Sequence, residues 1–201
     1  RSRRAHPSGS SARPEKTSNQ TRRAAALAGL LLLGPLAARA GAPRVMPTRD
    51  VDVTYLVAGD LHQRLRWNVA AQRLRIDPPL PEMYMVVDLA AGRMSMVQTT
   101  HHLVAELPTG HAGLPLPQGS GEWERADTDR VAGLACTLWR TQDVSARPVT
   151  LCLTEDGVML RATGAQGMLV EAEQVVYGPA DPAAFVVPPD YQRLQPEAAP
   201  P

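Results

Sequence analysis

Two cysteines occur in the chain, Cys136 and Cys152. Thiols support three chemistries: redox exchange, metal ligation and a structural disulfide. Fifteen residues separate the two, so neither provides the adjacent resolving thiol of a C-x-x-C redox centre. A zinc site would need two further ligands at suitable spacing. The stretch "ACTLWRTQDVSARPVTLC", residues 135–152, reads instead as two strands with a tip near Val144. That register pairs 136 with 152, 138 with 150 and 140 with 148. Directly opposite Cβ atoms lie about 4.5–5.5 Å apart, slightly wide of relaxed disulfide geometry. A cross-strand bridge is therefore expected after a small local adjustment. Closing a loop of about 15 residues stabilises a fold by roughly 3 kcal/mol in the chain-entropy model.

Other reactive residues form no constellation. His101 and His102 are adjacent, and on a strand adjacent side chains point to opposite faces. One of them with His111 would still leave a metal short of ligands. His62 stands alone. Gly119-Ser120-Gly121 lacks the G-x-S-x-G spacing of a nucleophile elbow. Glu122 and Glu124 flank Trp123 and share a strand face, as solvated carboxylates do. The chain is accordingly expected to be no enzyme and to use no cofactor or metal. The methionines are more suggestive, because Met83 shares a face with Met85, and Met94 with Met96. Methionine adapts to irregular apolar ligands. Trp67, Met83, Met85, Met94, Met96, Leu160 and Met168 are the candidate ligand-facing residues.

The elements that would position them are strands. "DVDVTYLVAG", "QRLRWNVA" and "QRLRID" alternate apolar and polar residues with period two, the mark of one buried and one solvated face. "MYMVVDL", "RMSMVQTT" and "HHLVAEL" follow. Residues 107–121 are rich in Pro and Gly and read as the longest loop. Asp156-Gly157 is a strong hairpin signal; a two-residue loop there pairs Glu155 with Val158, Leu153 with Leu160 and Leu151 with Ala162. The next hairpin pairs Leu160 with Val170 and Ala162 with Met168. Helical periodicity is absent from the strand region, apart from short candidates at 181–185 and within 107–121. About ten short strands imply a mainly β, strongly curled antiparallel sheet, a sandwich or a barrel.

The N-terminus reads as an export signal. Residues 1–23 are basic and polar, residues 24–38 are apolar, and Ala38-Arg39-Ala40 is an A-x-A cleavage pattern. The apolar run is shorter than a bilayer span and carries Gly34-Pro35. Cleavage before Gly41 is expected, through the general secretory route rather than the twin-arginine one. Position 41 is not the cysteine a lipoprotein requires. Residues 1–40 hold 8 of the 21 Lys+Arg and 1 of the 20 Asp+Glu, which leaves 13 and 19 and a net charge of −6. That balance excludes the electrostatic footprint of a nucleic-acid binder. Residues 41–194 are expected to form one domain, and 195–201 a disordered tail. An exported chain with an even cysteine count is the usual setting for a disulfide.

Three motifs carry a family resemblance: Gly133-Leu134-Ala135-Cys136-Thr137-Leu138-Trp139, the run from Cys152 to Ala162, and Pro188-Pro189-Asp190-Tyr191. In this order they resemble an uncharacterised family of proteobacterial exported proteins, similar in architecture to the lipoprotein carriers LolA and LolB. The resemblance implies an unclosed antiparallel half-barrel in the periplasm, without the carriers' clear lid helices. The expected function is a non-enzymatic binding module that holds a lipid, an acyl chain or an apolar segment on its concave face. The alternative is a structural or protein-interaction component of the cell envelope, pairing to a partner through an exposed sheet edge.

Overall fold

The computed structural model describes residues 41–57, 59–109 and 119–194. The expected signal segment at 1–40, the tail at 195–201, His111 and most of the 107–121 loop lie outside the described residues.

Twelve strands form one sheet: β1 (Val51–Val57), β2 (Leu61–Asn68), β3 (Arg73–Asp77), β4 (Met83–Asp88), β5 (Arg93–Gln98), β6 (Leu103–Pro108), β7 (Ser120–Val131), β8 (Leu134–Gln142), β9 (Pro148–Leu153), β10 (Met159–Gly164), β11 (Gly167–Tyr177) and β12 (Gln192–Leu194). The spatial order is β12-β6-β5-β4-β3-β2-β1-β11-β10-β9-β8-β7. Two antiparallel meanders, β1–β6 and β7–β11, are thus joined where β11 pairs with β1. β12 runs parallel to β6. The sheet is curled and unclosed, a half-barrel with β7 and β12 at its edges. Among the described residues the only helical turn is a 3-10 helix at Pro182–Phe185, capped by the Asp181 carboxylate accepting from the Ala183 amide.

The turns of the first meander are stitched together. The residue preceding β3, β4, β5 or β6 adopts the left-handed conformation: Gln72, Glu82, Gly92 and His102 have φ of 51°, 62°, 62° and 50°. Asn68 and Asp88 begin two of these turns by accepting from the amides of Ala71 and Ala91 at 3.0 and 2.9 Å. Each left-handed residue then turns its carbonyl toward the following connection. Leu89 donates to Gln72 at 3.0 Å, Thr99 to Glu82 at 2.8 Å, Thr109 to Gly92 at 3.0 Å and Gln192 to His102 at 2.8 Å.

The cysteine hairpin forms, in a register two residues away from the expected one. Leu138, not Cys136, lies opposite Cys152, and Gln142 lies opposite Pro148. The cause is Asp143. Its carboxylate accepts from the amides of Ser145 and Arg147 at 2.8 and 2.9 Å, and its amide donates to the Arg147 carbonyl at 2.8 Å. Ala146 takes φ 59°. A three-residue loop closed by a left-handed residue centres on Ser145. A slip of two keeps every side chain on its face, whereas a slip of one would not. Cys136 and Cys152 therefore remain on one face as a diagonal pair and form a disulfide with Cα atoms 5.4 Å apart.

The second hairpin also departs from expectation. Thr154 and Val158 close a wider turn, with the Thr154 amide donating to Val158 at 2.9 Å. A bulge between Met159 and Arg161 pairs Leu153 with Met159 rather than Leu160, and restores the expected Leu151–Ala162 pair. Between β10 and β11 another bulge pairs Ala162 with Val170 and Thr163 with Met168. Gly157 sits at φ 90°, where a Cβ would collide with the Met46 carbonyl. The N-terminal segment crosses the turn at this point. Thr48 donates to Asp156 at 3.0 Å, and Arg49 and Tyr177 donate to the Asp156 carboxylate at 2.8 and 3.1 Å.

Candidate functional site

One large buried cluster occupies the inner face, drawing residues from β1–β5 and β7–β11. Its alternation follows the sequence pattern: Val51, Val53 and Tyr55 point in from β1, Leu65 and Trp67 from β2, Leu74 and Ile76 from β3. Tyr55 lies in this interior with its hydroxyl donating to the Met159 carbonyl at 2.6 Å, and burial pushes its pKa up. Of the candidate ligand residues, Trp67, Met85, Met94 and Leu160 belong to this cluster, and Met96 packs against it half-buried. Met83 begins β4 and lies outside both buried clusters. Met168 is exposed, because the β10–β11 bulge sets it opposite Thr163 instead of Ala162. The inner face is filled by its own side chains: Leu65, Leu74, Ile76, Val87 and Leu160 have 0% exposure.

The outer face holds what the sequence reading did not assemble. Residues 178–191 form a strap that crosses this face and ends in β12. Its anchor is Phe185, the sole phenylalanine of the chain, 2% exposed against Tyr84, Val86, Val97 and Val104. Polar contacts hold the strap on both sides of that plug. Asp50 accepts from the Ala180 amide at 2.9 Å. Arg75 donates to the Ala184 carbonyl at 2.9 Å and stacks over the Tyr84 ring at 3.8 Å, while the Tyr84 hydroxyl donates to Val186 at 3.2 Å. The His102 and Tyr191 rings meet edge-on at 4.8 Å. The sequence did carry a signal. In β4, Tyr84, Met85, Val86 and Val87 are all buried, and an unbroken apolar run marks a strand covered on both faces.

Two clefts flank the strap. One of about 370 Å³ opens between the strap and β1, β2 and β11, with Asp52, Arg64, Arg66 and Asp181 among its walls. The other, of about 280 Å³, lies against β3–β6 and is lined by Arg73, Asp88, Arg93, Ser95, Glu106 and Arg193 beneath Phe185–Val187. Arginine–carboxylate pairs organise the surface. Arg64 meets Asp52 and Arg66 meets Asp77, both at 2.5 Å, and Arg75 also donates to Asp77 at 2.8 Å. Burial alone would raise the Asp77 pKa, but the hydrogen bonds from Arg75 and Arg66 outweigh it and hold the carboxyl below its ordinary range.

The free edge β7 is partly blunted. The outward amides of Thr128 and Arg130 donate to the side chains of Asp127 and Asp129, at 2.8 and 2.7 Å. Those donors are thereby withdrawn from pairing with another strand. Asp129 also binds Arg161 at 2.6 Å, an ion pair that runs from β10 to β7 along the face carrying the disulfide. Among the described residues no three metal-ligating side chains converge. His101 is exposed in its turn, and His62 pairs with Glu173 at 2.8 Å. Glu124 pairs with Arg140 at 3.2 Å on the surface. No helix among the described residues is long and apolar enough to cross a membrane.

These features define a mainly β protein built on one curled, unclosed antiparallel sheet. Among solved structures, the chain is similar to an uncharacterised conserved protein from Thermus thermophilus, with a TM-score of 0.55 at 12% identity over 74% of this chain and 91% of that one. It also has partial likeness to MucB, with a TM-score of 0.49 at 14% identity over 74% of this chain and 60% of that one. For PNGF-II the TM-score is 0.48 at 14% identity over 75% of this chain and 31% of that one. The first likeness shows a shared fold, and the other two are too partial to bear on function. No protein-family model matches the chain, and no curated protein matches it in sequence.

Proposed function

We propose that this chain is an exported, non-enzymatic binding module of the bacterial envelope that holds its ligand on the outer face, in the clefts beside the C-terminal strap. One observation carries the reading: the inner face is filled by its own side chains while the strap leaves arginine-lined space beside it. Export is supported by the signal pattern of residues 1–40 and by the buried disulfide, which suits an oxidising compartment. A second reading places an acyl chain on the inner face, where Met85, Met94 and Met96 supply adaptable side chains. That reading requires the packed interior to open.

The test is native mass spectrometry of protein recovered from the periplasm. A bound species that disappears in an Arg64→Gln, Arg193→Gln double variant and persists in Met94→Leu supports the outer face. A co-purifying lipid that persists in the arginine variant and is lost in Met94→Leu refutes it in favour of the inner face.

A further inference from the structure

The sheet register sets a small grid of side chains under the strap. On one row Arg73 of β3 faces Asp88 of β4, which faces Arg93 of β5. On the next, Val86 of β4 faces Ser95 of β5, which faces Glu106 of β6. Phe185, Val186 and Val187 close one side, and Arg193 reaches in from β12 to pair with Glu106.

The charges in this cleft do not cancel. It has three arginines and two carboxylates, and both carboxylates are already engaged. Asp88 accepts from the Ala91 amide at 2.9 Å and from Arg73 at 3.4 Å, and Glu106 accepts from Arg193. The Arg93 guanidinium is exposed and makes no hydrogen bond or ion pair with any described residue. Ser95 is 7% exposed, and its hydroxyl likewise bonds to no described residue. The hydroxyl is open to a group entering the cleft, and the exposed, unpaired guanidinium presents a planar fork suited to a carboxylate. Both stand beside an apolar wall.

We infer that this cleft binds a carboxylate carried on a short apolar body, with Arg93 and Ser95 donating to the carboxylate and Val86, Phe185 and Val187 packing against the body. The net charge of the lining is +1, Asp88 and Glu106 included, so a monoanion is neutralised where a phosphate dianion would keep one charge uncompensated. A volume of about 280 Å³ lies at the lower end of small-ligand pockets. The body is therefore a few carbons long. The inference rests on the outer face being the binding face and adds the chemical class of the ligand. A free aliphatic acid and the C-terminal residue of a peptide present the same chemistry.

The experiment titrates the full chain by calorimetry with hexanoate, with hexanamide, and with a pentapeptide ending in valine as free acid or amide. At least one acid is expected to bind in the millimolar range, as suits so few atoms, and its amide at least tenfold more weakly. Arg93→Gln is expected to weaken the acid about tenfold, the scale of one charge-assisted hydrogen bond, and to leave the amide unchanged. Ser95→Ala has a smaller effect in the same direction. Arg140→Gln, outside the cleft, changes nothing. Tighter binding of hexanoate than of the peptide acid assigns the site to a free acid, and the reverse order assigns it to a chain terminus. Circular dichroism confirms that each variant is folded. Equal affinity for acid and amide, wild-type affinity in Arg93→Gln, or no saturable binding of either acid overturns the inference. Should it fall while the arginine double variant still loses its native ligand, the outer-face reading survives with a ligand of another class.

Discussion

Replacing Phe185 by alanine tests whether the strap is a separable layer. The ring is 2% exposed and is the chief apolar contact between the strap and the outer face. Phe→Ala in a well-packed site costs about 3–5 kcal/mol. Leu65→Ala, at a position of 0% exposure on the inner face, costs about 2–5 kcal/mol. Similar magnitudes should nevertheless give different behaviour. The remaining strap contacts, such as Arg75 to Ala184 and Tyr84 to Val186, are single hydrogen bonds worth about 1–3 kcal/mol each. Without the ring, the strap releases before the sheet does. The loss of global stability in Phe185→Ala is then limited to the docking free energy of the strap. Hydrogen exchange read residue by residue is the assay. The amides of Val186, which donates to Ala183, and Gln192, which donates to His102, should lose protection in Phe185→Ala while those of β1–β3 keep theirs. Leu65→Ala should lower protection throughout the sheet. If Phe185→Ala exposes β1–β3 as much as Leu65→Ala does, the strap is part of one cooperative core and the reasoning is wrong.

Three further outcomes follow from individual contacts. Burial raises the Asp156 pKa, but bonds from Thr154, Arg49 and Tyr177 outweigh it and leave the carboxyl below its ordinary value. Its contribution is therefore present above the unfolded pKa of about 3.9 and lost as pH falls through the lower folded value, so denaturation midpoints of wild type and Asp156→Ala should differ most near neutrality and converge in acid. Reducing the Cys136–Cys152 bridge should lower stability by roughly 3 kcal/mol in urea melts, and thiol titration of the denatured, unreduced protein should find no free thiol. Asp127→Ala frees the outward Thr128 amide on β7, and sedimentation velocity should then show concentration-dependent self-association that the wild type lacks; an unchanged profile would mean that the carboxylate does not guard the edge.

The all-strand composition was legible because period-two alternation in β1, β2 and β3 reports burial directly. Face assignments survived in the cysteine hairpin even though its register did not. There Asp143 chose a three-residue loop over the expected tip at Val144, a choice among turn geometries that local sequence leaves nearly degenerate. Bulges undid the expected pairs of Leu160 with Leu153 and Val170, and of Met168 with Ala162, for a similar reason: a bulge shifts a strand by one residue at little local cost. Trp67, Met85, Met94 and Leu160 lie in the buried cluster while Met83 and Met168 do not, because alternation marks a buried face without saying what covers it.

The sequence by itself determined the strands, the inward set from Val51 to Ile76, the pairing of its two cysteines and the short helical turn near Phe185. Each follows from contacts or constraints within a few residues or one hairpin. Only the tertiary structure decided that the inner face is filled, that residues 178–191 cross the outer face, and that Arg93 and Ser95 stand together beneath them. Those outcomes depend on the curl of the whole sheet and on a segment returning across about 100 residues of chain to meet β3–β6, a closure whose entropy grows only slowly with loop length and which leaves no periodic mark in the sequence.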